Sequence, residues 1–125
     1  MTTREDVLRY ALEQFGTQPE YLWPKSPNDG VLRHQSGAKW YGVLMNLPRQ
    51  KLGLPGGGTV DILNLKCGPV LLGSLLGKEG YLPAYHMSKG NWVSIRLDGT
   101  VPEEDIFWLL GISYDLTRAK GRKKP

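Results

Sequence analysis

The sequence predicts an α+β fold, a two-layer sandwich with a mostly antiparallel sheet and a helix near each end of the chain, in the order α-β-β-β-α-(β)-β-α. Three observations lead there. Helical spacing of apolar residues is confined to residues 3–15, about 69–78 and about 103–118. Between them lie β-rich runs joined by short turns bearing Gly and Pro. In one of these runs, Val93, Ile95 and Leu97 alternate with Trp92, Ser94 and Arg96, the pattern of a strand with one buried and one wet face. Helices that cover one face of such a sheet complete the architecture.

The first helix rests on Val7, Leu8, Ala11, Leu12 and Phe15, with Thr3 as N-cap, Glu5 and Asp6 in the first turn and Gly16 as the stop. Residues 17–30 read as a loop, punctuated by Pro19, Pro24, Pro27 and Asn28-Asp29-Gly30. Val31 to Ser36 and Lys39 to Asn46 form a hairpin pattern around Gly37 and Ala38. Residues 47–59, with Pro48, Pro55 and Gly56-Gly57-Gly58, read as a long mobile loop, and Val60 to Lys66 as a third strand. Pro69 opens a second helix to about Lys78, since Pro suits a first turn. Tyr81 to His86 reads as a short extended segment before the strand at 92–97. Thr100-Val101-Pro102-Glu103 has capping-box spacing, and the last helix runs to about Arg118. Trp40 to Met45 is apolar at successive positions, so the phase of that strand stays open.

The chain has 125 residues, 16 Lys+Arg and 12 Asp+Glu, for a net charge of +4. That is one domain, expected over 1–117, with a basic tail over 118–125. The tail (Arg118, Lys120, Arg122, Lys123, Lys124) carries more positive charge than the whole chain's excess. The terminal helical segments are acidic. The middle, 31–98, has eight basic residues against Asp61, Glu79 and Asp98. The one cysteine, Cys67, excludes an internal disulfide and a cysteine metal cage. No apolar run approaches the ~20 residues of a membrane span, and the N-terminus enters a helix pattern without a secretory apolar region. The expectation is a cytoplasmic, monomeric protein with no cofactor, no metal and no membrane contact.

Three blocks carry a resemblance. They are Lys39-Trp40-Tyr41-Gly42-Val43-Leu44-Met45 with Pro48 to Leu54, Val60 to Cys67, and Tyr81 to Trp92 running into Leu97-Asp98-Gly99 and Ser113-Tyr114-Asp115-Leu116. The most specific part is Tyr85-His86-Met87-Ser88-Lys89-Gly90-Asn91-Trp92. The chain resembles the MmcQ/YjbR-like family, small bacterial proteins labelled DNA-binding. The resemblance implies a fold related to the frataxin-like (CyaY-like) sandwich, also described as a double wing, and DNA binding without enzymatic activity. At 90–91, where family members often carry a second basic or imidazole residue, this chain has Gly90-Asn91.

The expected partner is therefore DNA. An uncovered, basic sheet face and the 47–59 and 85–91 loops would meet phosphates through Arg33, Lys39, Arg49, Lys51, Lys66, Lys89 and Arg96. His86 would donate to phosphate and Trp92 would stack on a base. The alternative is a small-ligand or protein-interaction module in which Trp40, Tyr85, His86 and Trp92 line a pocket. Catalytic signatures are thin. Gly56-Gly57-Gly58 lacks the Lys-Ser/Thr of a phosphate-binding loop. Ser88 lies outside any nucleophile elbow. His34 and His86 have no ligand-like spacing, and Cys67 reads as a structural, half-buried thiol.

Overall fold

The computed structural model describes residues 1–35 and 39–118. The expected turn at Gly37-Ala38, the end of the first strand at Ser36, and the tail from residue 119 lie outside the described residues.

Helix α1 (Arg4–Phe15) begins as its sequence dictates. The Asp6 N–H donates to the Thr3 hydroxyl and the Thr3 N–H donates to the Asp6 carboxylate, a reciprocal capping box. Gly16, at φ 67°, closes it in the left-handed conformation that glycine adopts without strain. Strands β1 (Gly30–Arg33), β2 (Trp40–Pro48), β3 (Thr59–Lys66), β4 (Tyr81–Pro83) and β5 (Trp92–Arg96) follow, with helix α2 (Pro69–Leu75) between β3 and β4 and helix α3 (Glu103–Thr117) last. All four pairings are antiparallel, and the strands lie in the order β1-β2-β3-β5-β4.

The α+β sandwich and its element order match the expectation, and several boundaries and one cap differ for local reasons. α2 ends at Leu75 rather than Lys78, with Leu76 as its C-cap and Gly77 next. β4 ends at Pro83, where the ladder loses a donor. The Thr100 capping box does not form. Thr100 instead gives both its hydroxyl and its N–H to the Asp98 carboxylate, and α3 starts behind Pro102 without a side-chain cap.

One face of the sheet meets the helices. Leu32, Leu44, Leu63, Leu65, Val93 and Ile95 pack there with Val7 and Ala11 of α1 and Ile106, Leu109 and Leu110 of α3. The open phase of β2 is decided by a bulge: Leu32 pairs with Gly42 but Arg33 pairs with Trp40, so Tyr41 is the extra residue. Tyr41 thereby turns into the helix-side core, while Trp40 turns to the opposite face with Val43, Met45 and Leu47. Gly42 fits this close crossing: a Cβ there would lie 3.1 Å from Leu32 Cδ1, and the Leu32 side chain would have to give way by a few tenths of an ångström. Around Tyr41, Phe15 stacks on Tyr114 with ring centroids 4.1 Å apart, and the His34 ring centroid lies 4.2 Å from that of Tyr114. His34 is thus a core histidine, bonded through Nε2 to Thr117 Oγ1 at 2.9 Å.

Candidate functional site

The sheet face away from the helices is not open. Ile62, Asn64 and Ser94 on that face are all 0% exposed. Three loops cover it, each for a reason visible in its residues.

The loop after β4 is fastened by two buried polar side chains. Asn64 and Ser94 are direct cross-strand partners on β3 and β5. The Ser94 hydroxyl donates to Asn64 Oδ1. The Tyr85 N–H donates to Ser94 Oγ at 3.0 Å, and Asn64 Nδ2 donates to the Tyr85 carbonyl at 3.1 Å. Buried polar groups demand such partners, and here the partner is the loop's own backbone. The next residue, His86, has φ 59°, which a non-glycine residue adopts at a cost of roughly 1–3 kcal/mol. Its ring stacks on Tyr85 with centroids 4.0 Å apart.

The 47–59 segment is folded back on the sheet. Arg49–Leu52 forms a 3-10 turn, the Arg49 N–H donates to the Gly58 carbonyl at 3.0 Å, and Arg49 Nε donates to the Pro55 carbonyl at 2.8 Å. Leu52 and Leu54 pack on Leu47, Val60 and Ile62 with Met45 and Tyr85. This second small core is what closes the face.

The 17–30 loop is held at both ends. Glu20 and Val31 exchange backbone hydrogen bonds of 2.9 and 2.8 Å. The Arg4 guanidinium of α1 donates to the Asn28 carbonyl. Between these anchors the loop presents Trp23, which meets Trp40 edge to face at 5.7 Å and 82°.

Together the loops leave a cleft of about 540 Å³ on β2. Trp23, Trp40, Tyr85, His86 and Met87 wall it, Val43, Met45 and Leu47 form its floor, and Lys25, Ser26, Asn28, Asp29, Asn46 and Lys51 supply polar groups. Asp29 is buried, 9% exposed. Loss of water raises its carboxyl above the usual carboxylate range, opposed by the Asn46 backbone N–H and by the charges of Arg4 and His86.

The nine expected DNA-contacting residues stand in different local settings. Lys51 and His86 line the cleft. Arg33 pairs with Glu20, its Nε 3.0 Å from Oε2. Arg96 pairs with Asp98, its Nε 2.8 Å from Oδ2. Arg49 holds its own loop. Lys89 Nζ donates to the Ala84 carbonyl at 3.0 Å, closing the 84–91 loop. Lys66 lies half-buried at the end of β3, opposite Trp92. Lys39 is exposed before β2. Trp92 is 9% exposed, so its ring belongs to the interior of the loop-covered face. Of the four residues expected to line a pocket, Trp40, Tyr85 and His86 do so and Trp92 does not. Trp23, Lys25, Ser26, Asn28 and Asp29 were not anticipated. Their signal was the apolar run Tyr21-Leu22-Trp23 inside a proline-punctuated loop, which an idle loop does not need.

Among the described residues no group of three or more His, Cys, Asp or Glu could hold a metal ion. No described helix is long and apolar enough to cross a membrane. Cys67 is buried, and burial pushes its thiol pKa up, so its place ahead of α2 does not activate it.

Fold and site define a small α+β protein built around a loop-covered sheet face. The chain belongs to the YjbR family, whose signature matches residues 12–116. It is 49% identical over 118 residues to the uncharacterized protein YyaQ of Bacillus subtilis (strain 168), covering 94% of this chain and all of that one. A Pseudomonas syringae protein solved by crystallography superposes with a TM-score of 0.91 at 39% identity, covering 94% of this chain and 100% of that chain. A Deinococcus radiodurans protein with a DUF419 domain superposes at 0.74 with 26% identity, covering 99% and 84%. None of these names describes an enzyme or a ligand.

Proposed function

We propose that the chain is a non-enzymatic binding module whose site is the cleft on β2, and that it takes a small molecule containing a flat ring. The observation that carries this reading is the cleft itself. Its volume of about 540 Å³ falls within the roughly 300–1,000 Å³ of small-molecule sites. Its walls are aromatic, its floor is aliphatic, and a few polar groups converge on it. The pairing of Arg33 and Arg96 with carboxylates, and the burial of Trp92, weigh against a continuous phosphate-binding face. In this reading the protein works as a cytoplasmic monomer without a cofactor, and its single buried thiol suits a reducing compartment.

The test is a titration of aromatic fragments into protein labelled with nitrogen-15 at tryptophan. Indole N–H signals of Trp23 and Trp40 should shift, while that of Trp108, 59% exposed on α3, should not. Shifts at Trp108 alone, or at none of the three, would overturn the reading.

DNA binding is the second reading, and one observation favours it. Lys25, Lys39 and Lys51 have no carboxylate partner among the described residues. Binding by the fold predicts affinity that falls with salt at a slope of about −0.9 per neutralised phosphate, and that survives deletion of residues 118–125. Loss of binding with the tail would remove the fold from the explanation.

A further inference from the structure

We infer that the cleft receives a flat heterocycle with two adjacent N–H donors, the 2-amino-4-oxopyrimidine edge that guanine and pterins share, carrying an anionic group. Asp29 accepts the donor edge, and Lys25 and Lys51 hold the anion. This rests on the reading of the cleft as a small-molecule site.

The argument starts from Asp29. It is 9% exposed and yet lines the cleft. It lies in the cleft wall with Asn46, the positive charges of Arg4 and His86 act on it, and no side-chain hydrogen bond reaches its carboxylate among the described residues. A carboxylate has two acceptor oxygens and room for several donors, and a buried one is costly unless donors reach it. The cleft therefore presents an acceptor-only group beside two tryptophans.

The other groups narrow the ligand. A simple amine or guanidinium would meet Asp29 but also the ammonium groups of Lys25 and Lys51. A simple anion would suit the lysines but face Asp29. A ligand that is neutral and donor-rich at one edge and negative at another satisfies both. The perpendicular Trp23 and Trp40 rings offer one flat face and one edge, which a planar heterocycle can stack against. Neighbouring N–H donors on one ring edge match the two oxygens of one carboxylate, as in other bidentate pairs.

Calorimetric titration of the full chain tests this with guanosine 5′-monophosphate, inosine 5′-monophosphate, guanosine and pterin-6-carboxylate. Guanosine monophosphate or the pterin should bind, and which of them binds tighter identifies the source of the edge. Inosine monophosphate lacks the exocyclic amine and should bind about 10- to 100-fold more weakly than guanosine monophosphate. Guanosine, without the phosphate, should also bind more weakly. Lys51→Ala should lower guanosine monophosphate affinity toward that of guanosine while keeping the discrimination against inosine monophosphate. Asp29→Asn replaces an acceptor by a donor, so it should weaken guanosine monophosphate and favour xanthosine 5′-monophosphate, whose C2 carbonyl accepts from the amide. That gain also shows that the variant is folded. Equal affinity for guanosine and inosine monophosphates overturns the inference. So does failure of both guanosine monophosphate and the pterin to bind. If aromatic fragments still shift Trp23 and Trp40, the cleft reading survives that failure; if they do not, both fall.

Discussion

Arg33 on β1 and Glu20 on the preceding loop face each other as a two-point ion pair, with Nε 3.0 Å from Oε2 and the second guanidinium nitrogen on Oε1. The backbones of Glu20 and Val31 are bridged beside it. An arginine held this way is charge-compensated before any phosphate arrives. Both side chains are over a third exposed, at 35% and 39%, so the pair adds only about 0–1 kcal/mol to stability.

Glu20→Gln should therefore leave stability almost unchanged and release Arg33. If DNA uses this face, the variant binds more tightly at low salt, and its salt slope steepens by about 0.9. Fluorescence anisotropy across a salt series checks this. Coincident curves for the two proteins would remove Arg33 from the DNA path.

Ser113 fastens α3 to the sheet. Its hydroxyl donates to the Tyr41 carbonyl at 2.6 Å and accepts from the Lys66 N–H at 2.9 Å. The first contact lies at the bulge of β2, so the serine supports the register that sends Trp40 to the cleft. Ser113→Ala would leave a buried carbonyl and an amide short of partners, a loss of about 1–3 kcal/mol. Urea denaturation should show a lower midpoint at an unchanged slope.

Two acids make opposite contributions with pH. For Asp98, burial raises the pKa, but the Thr100 hydroxyl, Arg96 and the Thr100 N–H outweigh it and hold the carboxyl below 3.8. A depressed acid stabilises the fold above its unfolded pKa and loses that contribution as pH falls through the folded one. Asp98→Asn should lower the melting temperature at pH 7, and the gap should close as pH falls below the usual carboxylate range and through the folded pKa. Asp29 is raised, chiefly by burial, so its ionised form costs stability at neutral pH. Asp29→Asn should match or exceed the wild-type melting temperature there, with the advantage shrinking in acid. A melting temperature lower than wild type at pH 7 would mean that the carboxylate is better compensated than its surroundings suggest.

The buried Cys67 thiol, with its raised pKa, should react slowly in the native state. Mixing with a thiol-reactive chromophore should give one slow phase that accelerates in denaturant as the chain opens. A fast native phase at neutral pH would contradict the buried placement.

Much of the architecture was legible in the residues themselves. The Thr3–Asp6 cap, the Gly16 stop and the alternation in β5 are local patterns, set within a few residues by helix geometry, glycine's tolerance of positive φ and the two-residue period of a strand. Trp40, Tyr85, His86 and Lys51 stand out by residue type and by the blocks that carry the family resemblance. Tertiary structure alone decided what these groups face. Periodicity tells which side of a strand is apolar, but not which loop covers it. The bulge at Tyr41 swapped the sides of β2, the Asn64–Ser94 pair drew the Tyr85 loop over the sheet, and the Arg4–Asn28 contact brought Trp23 and Asp29 to the same cleft. Each joins residues far apart in sequence. A basic middle segment that reads as one charged face thereby became paired arginines around an aromatic cleft.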